Sequence, residues 1–169
     1  MKFSINFICV CVSMFFAGCI RFGSPVIYTT YKPMFISRSS LNNSIKLENP
    51  KSINDAGKIY QKGDYIFIGE RFNGIHIINN KDPKNPINEA FISIPGCVDI
   101  AIKNNTLYVD NAVDLVALDL LSIRNKTIKI LKRVEDVFPE VGPPDGGELQ
   151  QRHQTVNRTN GNIIVGWTK

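Results

Sequence analysis

The sequence predicts an all-β fold, an open or partial β-propeller-like array of about two four-stranded repeats plus a third fragment. Three observations predict it. Residues Tyr65 to Gly96 read as short strands joined by tight turns. The pattern starts again at Val98, and the two copies align with Ile68 beside Val109 and Asn79 beside Asp119. A four-stranded unit recurring every ~40 residues is the sequence signature of a propeller blade. Strands such as Tyr65–Ile68 and His76–Ile78 are apolar at consecutive positions, the pattern of sheets buried on both faces.

The elements follow in order. Residues 31–56 form a turn-rich N-terminal segment. Tyr28–Ile36 is rich in aromatic and β-branched residues, and Pro33 places it at a sheet edge. Ser37–Ser52 is polar and carries at most a short helical turn. The β-repeat domain spans 57–169, with repeats at about 57–96 and 97–136 and a fragment at 148–169. In the first repeat, Gly57–Gln61, Tyr65–Glu70, Ile75–Asn79 and Ile87–Ile94 are the expected strands. Lys62-Gly63-Asp64 turns the first pair. Arg71-Phe72-Asn73-Gly74 turns the second, with Asn-Gly expected to supply the positive φ of a tight turn. Asp82-Pro83 and Asn85-Pro86 enforce a loop before the outer strand.

The second repeat runs through Val98–Lys103, Thr106–Asn111, Leu115–Leu120 and Thr127–Val134, with turns at Asn104-Asn105 and Ala112-Val113-Asp114. A long loop, Val137–Gly147, interrupts the rhythm. Gln154–Val156, a turn at Asn160-Gly161 and Asn162–Trp167 read as the start of a third pass.

Residues 1–18 read as a signal peptide: Met1-Lys2 is a short positive region, and Phe3–Ala17 is an apolar stretch of the expected length. It is shorter than the roughly 20 apolar residues that span a bilayer. Phe16-Ala17-Gly18-Cys19 resembles a bacterial lipobox, with Phe16 in place of the usual Leu. The resemblance implies that Cys19 is lipidated and becomes the new N-terminus, carrying three acyl chains. More than one chain is what stable anchoring requires. Ile20 after the cysteine is similar to the sorting signal of outer-membrane lipoproteins, so the expected address is the outer membrane, periplasmic or surface-facing. Residues 19–30 read as a tether broken by Gly23, Ser24 and Pro25.

Of four cysteines, Cys9 and Cys11 lie in the leader and Cys19 at its end, so Cys97 alone is left as a thiol and an internal disulfide framework is excluded. Cys97 reads as a small buried hydrophobe. Two histidines and no CxxC spacing argue against zinc. The formal charge is +5, and its densest basic run is Lys126–Arg133. No basic helix or aromatic-interleaved motif accompanies it, so no nucleic-acid partner is expected.

Carboxylates at strand ends, Asp99, Asp110, Asp114 and Asp119, make the best enzyme case. General acid/base chemistry needs two of them facing each other, and nothing in the sequence pairs them. The expectation is that they cap turns and accept backbone hydrogen bonds. A calcium role for Asp110, Asn111 and Asp114 lacks enough oxygen ligands. His76 between Ile75 and Ile77 reads as a satisfied core histidine, and Trp167 as an anchor of the last strand. No catalytic, metal or cofactor-binding residue is assigned, and no cofactor.

Leu115-Val116-Ala117-Leu118-Asp119 resembles the signature of LVIVD-repeat proteins, and Gly74-Ile75-His76-Ile77-Ile78-Asn79 resembles a sister copy with Asn79 for the Asp. Asp82-Pro83-Lys84-Asn85-Pro86, Ile94-Pro95-Gly96, Asp99-Ile100-Ala101 and Leu107-Tyr108-Val109-Asp110 are similar to that family too. The second copy lacks the Pro-x-x-Pro loop. The resemblance, over about Tyr28–Pro139, is to exported lipoproteins of Bacteroidetes-type bacteria, and it brings no activity or catalytic residue. Closed propellers have four to eight blades, so two repeats do not close a ring. The expectation is a truncated or diverged form of a longer ancestor, with open strand edges offered to a protein or glycan partner. The expected function is a membrane-anchored envelope lipoprotein presenting a β-repeat binding or scaffold surface and not an enzyme. The alternative is a component or remnant of an envelope hydrolase that uses strand-end carboxylates.

Overall fold

The computed structural model describes residues 26–150 and 161–169. The leader, Cys19 and the expected strand at Gln154–Val156 lie outside them. The described chain is mostly β, in three antiparallel sheets with no barrel.

The elements are β1 (Lys32–Ser37), α1 (Arg38–Asn42), β2 (Lys46–Glu48), β3 (Ala56–Lys62), β4 (Tyr65–Glu70), β5 (Gly74–Asn79), β6 (Ile87–Ser93), β7 (Ile100–Lys103), β8 (Thr106–Asn111), β9 (Asp114–Asp119), α2 (Leu120–Arg124), β10 (Ile130–Val134) and β11 (Asn162–Thr168). The first repeat is a sheet in the order β2-β6-β5-β4-β3, and the second a sheet in the order β10-β9-β8-β7. In each, four consecutive strands run up and down as expected. Period-2 alternation then decides which residues meet. Phe67, Ile75, Ile77 and Ile92 project from one face of the first sheet. Ile100, Ile102, Leu107, Val109, Val116 and Leu118 project from one face of the second. These side chains form a single buried cluster with Ile94, Cys97, Leu120 and Ile123. Burial of each such side chain stabilises the fold by about 1.5–3 kcal/mol. At the inner edge β3 lies against β7. There the Tyr60 hydroxyl donates to the Ile102 carbonyl at 3.0 Å, and Lys58 Nζ meets Asp99 at 2.6 Å.

Several expectations need correction. In the 31–56 segment β1 and the single turn of α1 answer to the expected edge strand and helical turn, and β2 is the addition. Ser37 caps α1 by accepting from the Ser40 N–H, and β2 adds a fifth strand beside β6. A helical turn, α2, follows β9, because the Asp119 carboxylate accepts from the Leu121 N–H. The outer strand therefore starts at Ile130 instead of Thr127.

The positive φ of the β4–β5 turn falls on Phe72 (63°) and Gly74 (147°), and Asn73 does not carry it. Left-handed backbone at a bulky residue is uncommon. Here two backbone hydrogen bonds hold it: Phe72 N–H to Cys97 O at 2.7 Å, and Gly96 N–H to Phe72 O at 2.9 Å.

Among the described residues β11 opens no third four-stranded sheet. It pairs antiparallel with β1, from Lys32 opposite Thr168 to Ser37 opposite Asn162. Among the described residues this sheet has two strands, so Pro33 sits on an edge strand there. Ile163 and Val165 pack with Leu41, Ala112 and Val113. Trp167 is buried and donates from Nε1 to the Val141 carbonyl at 2.9 Å, anchoring the last strand.

Burial on both faces holds for β5, whose residues Gly74–Ile78 are all buried, and fails for β4, where Ile66 and Ile68 are only half covered. The two repeat sheets pack on each other through their shared cluster. The outer face of the first is instead crossed by residues 49–55, which run from β2 at one edge to β3 at the other. This strap is held by Asn88 Nδ2 donating to the Lys51 carbonyl at 2.8 Å and by Lys51 Nζ over the Phe91 ring at 4.7 Å.

Candidate functional site

Three polar centres lie among the described residues. The first sits beneath the 49–55 strap. Glu70 ends β4 with its side chain on the outer face, and the turn brings His76 of β5 beside it. Both are buried, and Glu70 Oε2 lies 3.1 Å from His76 Nε2. The backbone N–H groups of Asn54 (3.2 Å) and Asp55 (2.8 Å) also donate to the Glu70 carboxylate. Burial pushes the Glu70 carboxyl up. The two backbone donors and His76 outweigh it and hold the group below its ordinary value. An ionised Glu70 carboxylate can only accept, so Nε2 of His76 is the donor of this bond. His76 is a core histidine with Nε2 engaged, and its buried Nδ1 has no hydrogen-bond partner among the described residues. The imidazole stacks at a tilt on Phe91, with ring centroids 4.8 Å apart. A small polar cavity of about 210 Å³ lies between strap and sheet, lined by Ser52, Asn54, Asn73 and Ser93 as well as by this pair. The arrangement orients a base, but no hydroxyl lies within hydrogen-bond reach of it among the described residues. Its evident role is to fasten the strap.

That role makes a testable statement about pH. Glu70 has a lowered folded-state pKa, so its contribution is present above the unfolded carboxyl value of about 4.3. It is lost as pH falls through the lower folded value. Urea midpoints taken from pH 7 down to pH 3 should therefore drop less steeply for Glu70→Gln than for the parent chain.

The second centre joins α1, β9 and β10. Asp114 is fully buried. It receives Arg38 Nη1 at 2.7 Å, Arg133 Nη1 at 2.6 Å and the Asp136 N–H at 3.1 Å. Arg38 also pairs with Asp136. Burial pushes the Asp114 carboxyl up, and the Arg38 and Arg133 hydrogen bonds with the Asp136 N–H pull it net below its usual value. Asp114 thus does more than the turn-capping expected of it.

The third centre is a groove of about 440 Å³ on the outer face of the second sheet. Tyr108, Leu115 and Ala101 form its floor, and the Phe138–Val141 segment forms its wall. Asp99 and Asp110 meet at its end. Asp110 accepts from the Val98 N–H (2.9 Å) and the Asp99 N–H (2.8 Å), and Asp99 accepts from the Ile100 N–H. The structure thus brings two of the four strand-end aspartates together, and both accept backbone bonds as expected. Burial outweighs those bonds and raises the Asp110 carboxyl above its ordinary value. Cys97 beside it is buried, and its thiol is pushed well up by burial and by Asp110 and Asp99. A thiol held in its neutral form is a weak nucleophile, which fits the small-hydrophobe reading. Asn111 is spent on the Pro95 carbonyl at 2.7 Å. No cluster of three or more metal-ligating side chains occurs among the described residues.

Comparison with protein-family models, with characterised proteins and with solved structures returned no match. The site is therefore read from its own geometry. Sequence reasoning missed Glu70 because it looked like an ordinary strand end. The available signal was a carboxylate closing an apolar strand opposite a glycine. It missed the arginines around Asp114 because Arg38 lies far away in the chain.

Proposed function

We propose that this chain is an envelope lipoprotein whose domain offers a β-repeat surface for binding or scaffolding, with no chemistry of its own. The observation that carries the reading is the packing of two successive up-and-down sheets, with β3 against β7 and one outer face strapped. Two successive up-and-down sheets that share one buried cluster support a propeller-like reading of the repeat. The outer edges β2 and β10 and the groove beside Tyr108 are left as surface for a protein or glycan. The polar centres support the same reading, since their groups are engaged in holding elements together. The lipobox-like Phe16–Cys19 supplies the address, an acylated Cys19 in the outer membrane.

Cys19→Ala tests the address. Expressed in a bacterial host with labelled palmitate, the parent chain should take up label and sediment with membranes, and the variant should lose the label. A parent chain that takes up no lipid overturns the assignment.

The alternative hydrolase has one observation in its favour: Asp110, with its raised carboxyl, lines the groove beside Asp99. It requires turnover of a glycan or ester that Asp110→Asn abolishes, whereas the scaffold reading expects no turnover by either protein.

A further inference from the structure

The densest basic run of the chain folds into the exposed flank of the second sheet. From Leu120 to Val134 there is no acidic residue and no aromatic one. Two of the five cations on this stretch are engaged. Arg124 lies over the Tyr65 ring at 5.4 Å, and Arg133 is held by Asp114. Lys126, Lys129 and Lys132 are exposed and form no ion pair among the described residues. The same stretch carries exposed aliphatic side chains: Leu121 on α2 is 49% exposed, and on β10 Ile130 is 41%, Leu131 48% and Val134 43% exposed. The flank therefore couples free positive charge to free hydrocarbon on one edge of the fold.

We infer that this flank docks on an anionic bilayer surface. Lysines beside apolar side chains match a layer of negative headgroups over hydrocarbon. Each cation near such a surface contributes about a fivefold gain in binding, and inserted aliphatic groups add to it. Two other occupants fit less well. A second copy pairing along β10 would set lysines against lysines, and the β-bulge between Ile130 and Lys132 interrupts the ladder it would extend. A single-stranded nucleic acid asks for aromatic platforms on which bases stack, and this stretch has none. The inference concerns the domain's own surface and stands whether or not Cys19 carries lipid.

The test uses the mature chain, residues 19–169 with Cys19→Ala, so that neither acyl chains nor the apolar leader masks the effect. Partition is measured onto vesicles of phosphatidylcholine alone and of phosphatidylcholine with 30% phosphatidylglycerol. The expected preference for anionic vesicles is roughly tenfold or more at low salt, fading as salt screens it. Lys126→Glu with Lys129→Glu and Lys132→Glu should bring the preference to near parity. Lys62→Glu with Lys81→Glu and Lys84→Glu, on the other repeat sheet, should leave it in place. Leu131→Ser should weaken binding to anionic vesicles several-fold and keep its salt dependence. Equal partition of the parent onto both vesicles overturns the inference, and so does equal loss in the two triple variants. A salt-insensitive dimer in light scattering that the first triple variant dissolves assigns the flank to a second copy and overturns it as well.

Discussion

Asp114→Ala is expected to cost the fold about 3–5 kcal/mol, because it strands two arginines around a carboxylate that is no longer there. Arg133 is the more exposed to this penalty. Its side chain is 13% accessible, against 30% for Arg38, so it has less water to turn to. One Arg133 nitrogen, Nη2, is already buried without a hydrogen-bond partner among the described residues. The loss should appear as a lower urea midpoint at neutral pH. A double variant, Asp114→Ala with Arg133→Met, should recover part of it by removing the unpaired charge. Acid should reproduce the single variant in the parent chain. The Asp114 carboxyl is held low, so its contribution is present above the unfolded aspartate value of about 3.9 and disappears as pH falls through the folded one. If Asp114→Ala melts like the parent, the ion cluster is decoration.

Gly74→Ala is the second large effect. A Cβ at this position would lie 1.9 Å from the Ile92 carbonyl oxygen and 3.0 Å from the Ile94 nitrogen. These are backbone atoms of the neighbouring strand β6 and its end, so no side chain can swing aside. The φ of 147° adds a conformation that side chains other than glycine rarely adopt. The expected loss is about 4 kcal/mol or more, at the rare end for a single substitution. Gly63→Ala is the control, since that glycine also has positive φ but its Cβ would meet nothing within 4 Å. It should cost much less. Equal losses in the two variants would place the cost in backbone conformation alone and remove the steric argument.

The repeat sheets were legible because their information is local. Alternation within Thr106–Asn111, turn residues at Lys62-Gly63-Asp64 and the recurrence of the pattern are all visible in short windows. What escaped depends on distance along the chain. β2 is three residues long and becomes a strand only because β6 offers it an edge. α2 starts where the Leu120 N–H reaches back to the Asn105 carbonyl of the β7–β8 turn. The Asn73-Gly74 dipeptide promised a hairpin of one kind, and the demand of Cys97 and Gly96 for backbone partners moved the unusual φ to Phe72. The polar centres were the least readable part. Glu70 draws its donors from Asn54 and Asp55, and Asp114 draws one of its cations from Arg38. No periodicity announces either meeting.

The pairing of β1 with β11 has a consequence for how the chain comes to be folded. β1 is the first of these strands to leave the ribosome or an export channel, and β11 is the last. Everything between must be made before Lys32 can find Thr168. Contacts this remote in sequence are slow to form, because the intervening chain must first be ordered. The two repeat sheets are free to collapse as each is completed, while β1 waits with its backbone groups unmatched. During that interval Met34 and Ile36 are bare, and a chaperone that grips extended segments has its opening there. The β1–β11 sheet therefore closes only after both repeat sheets have been made.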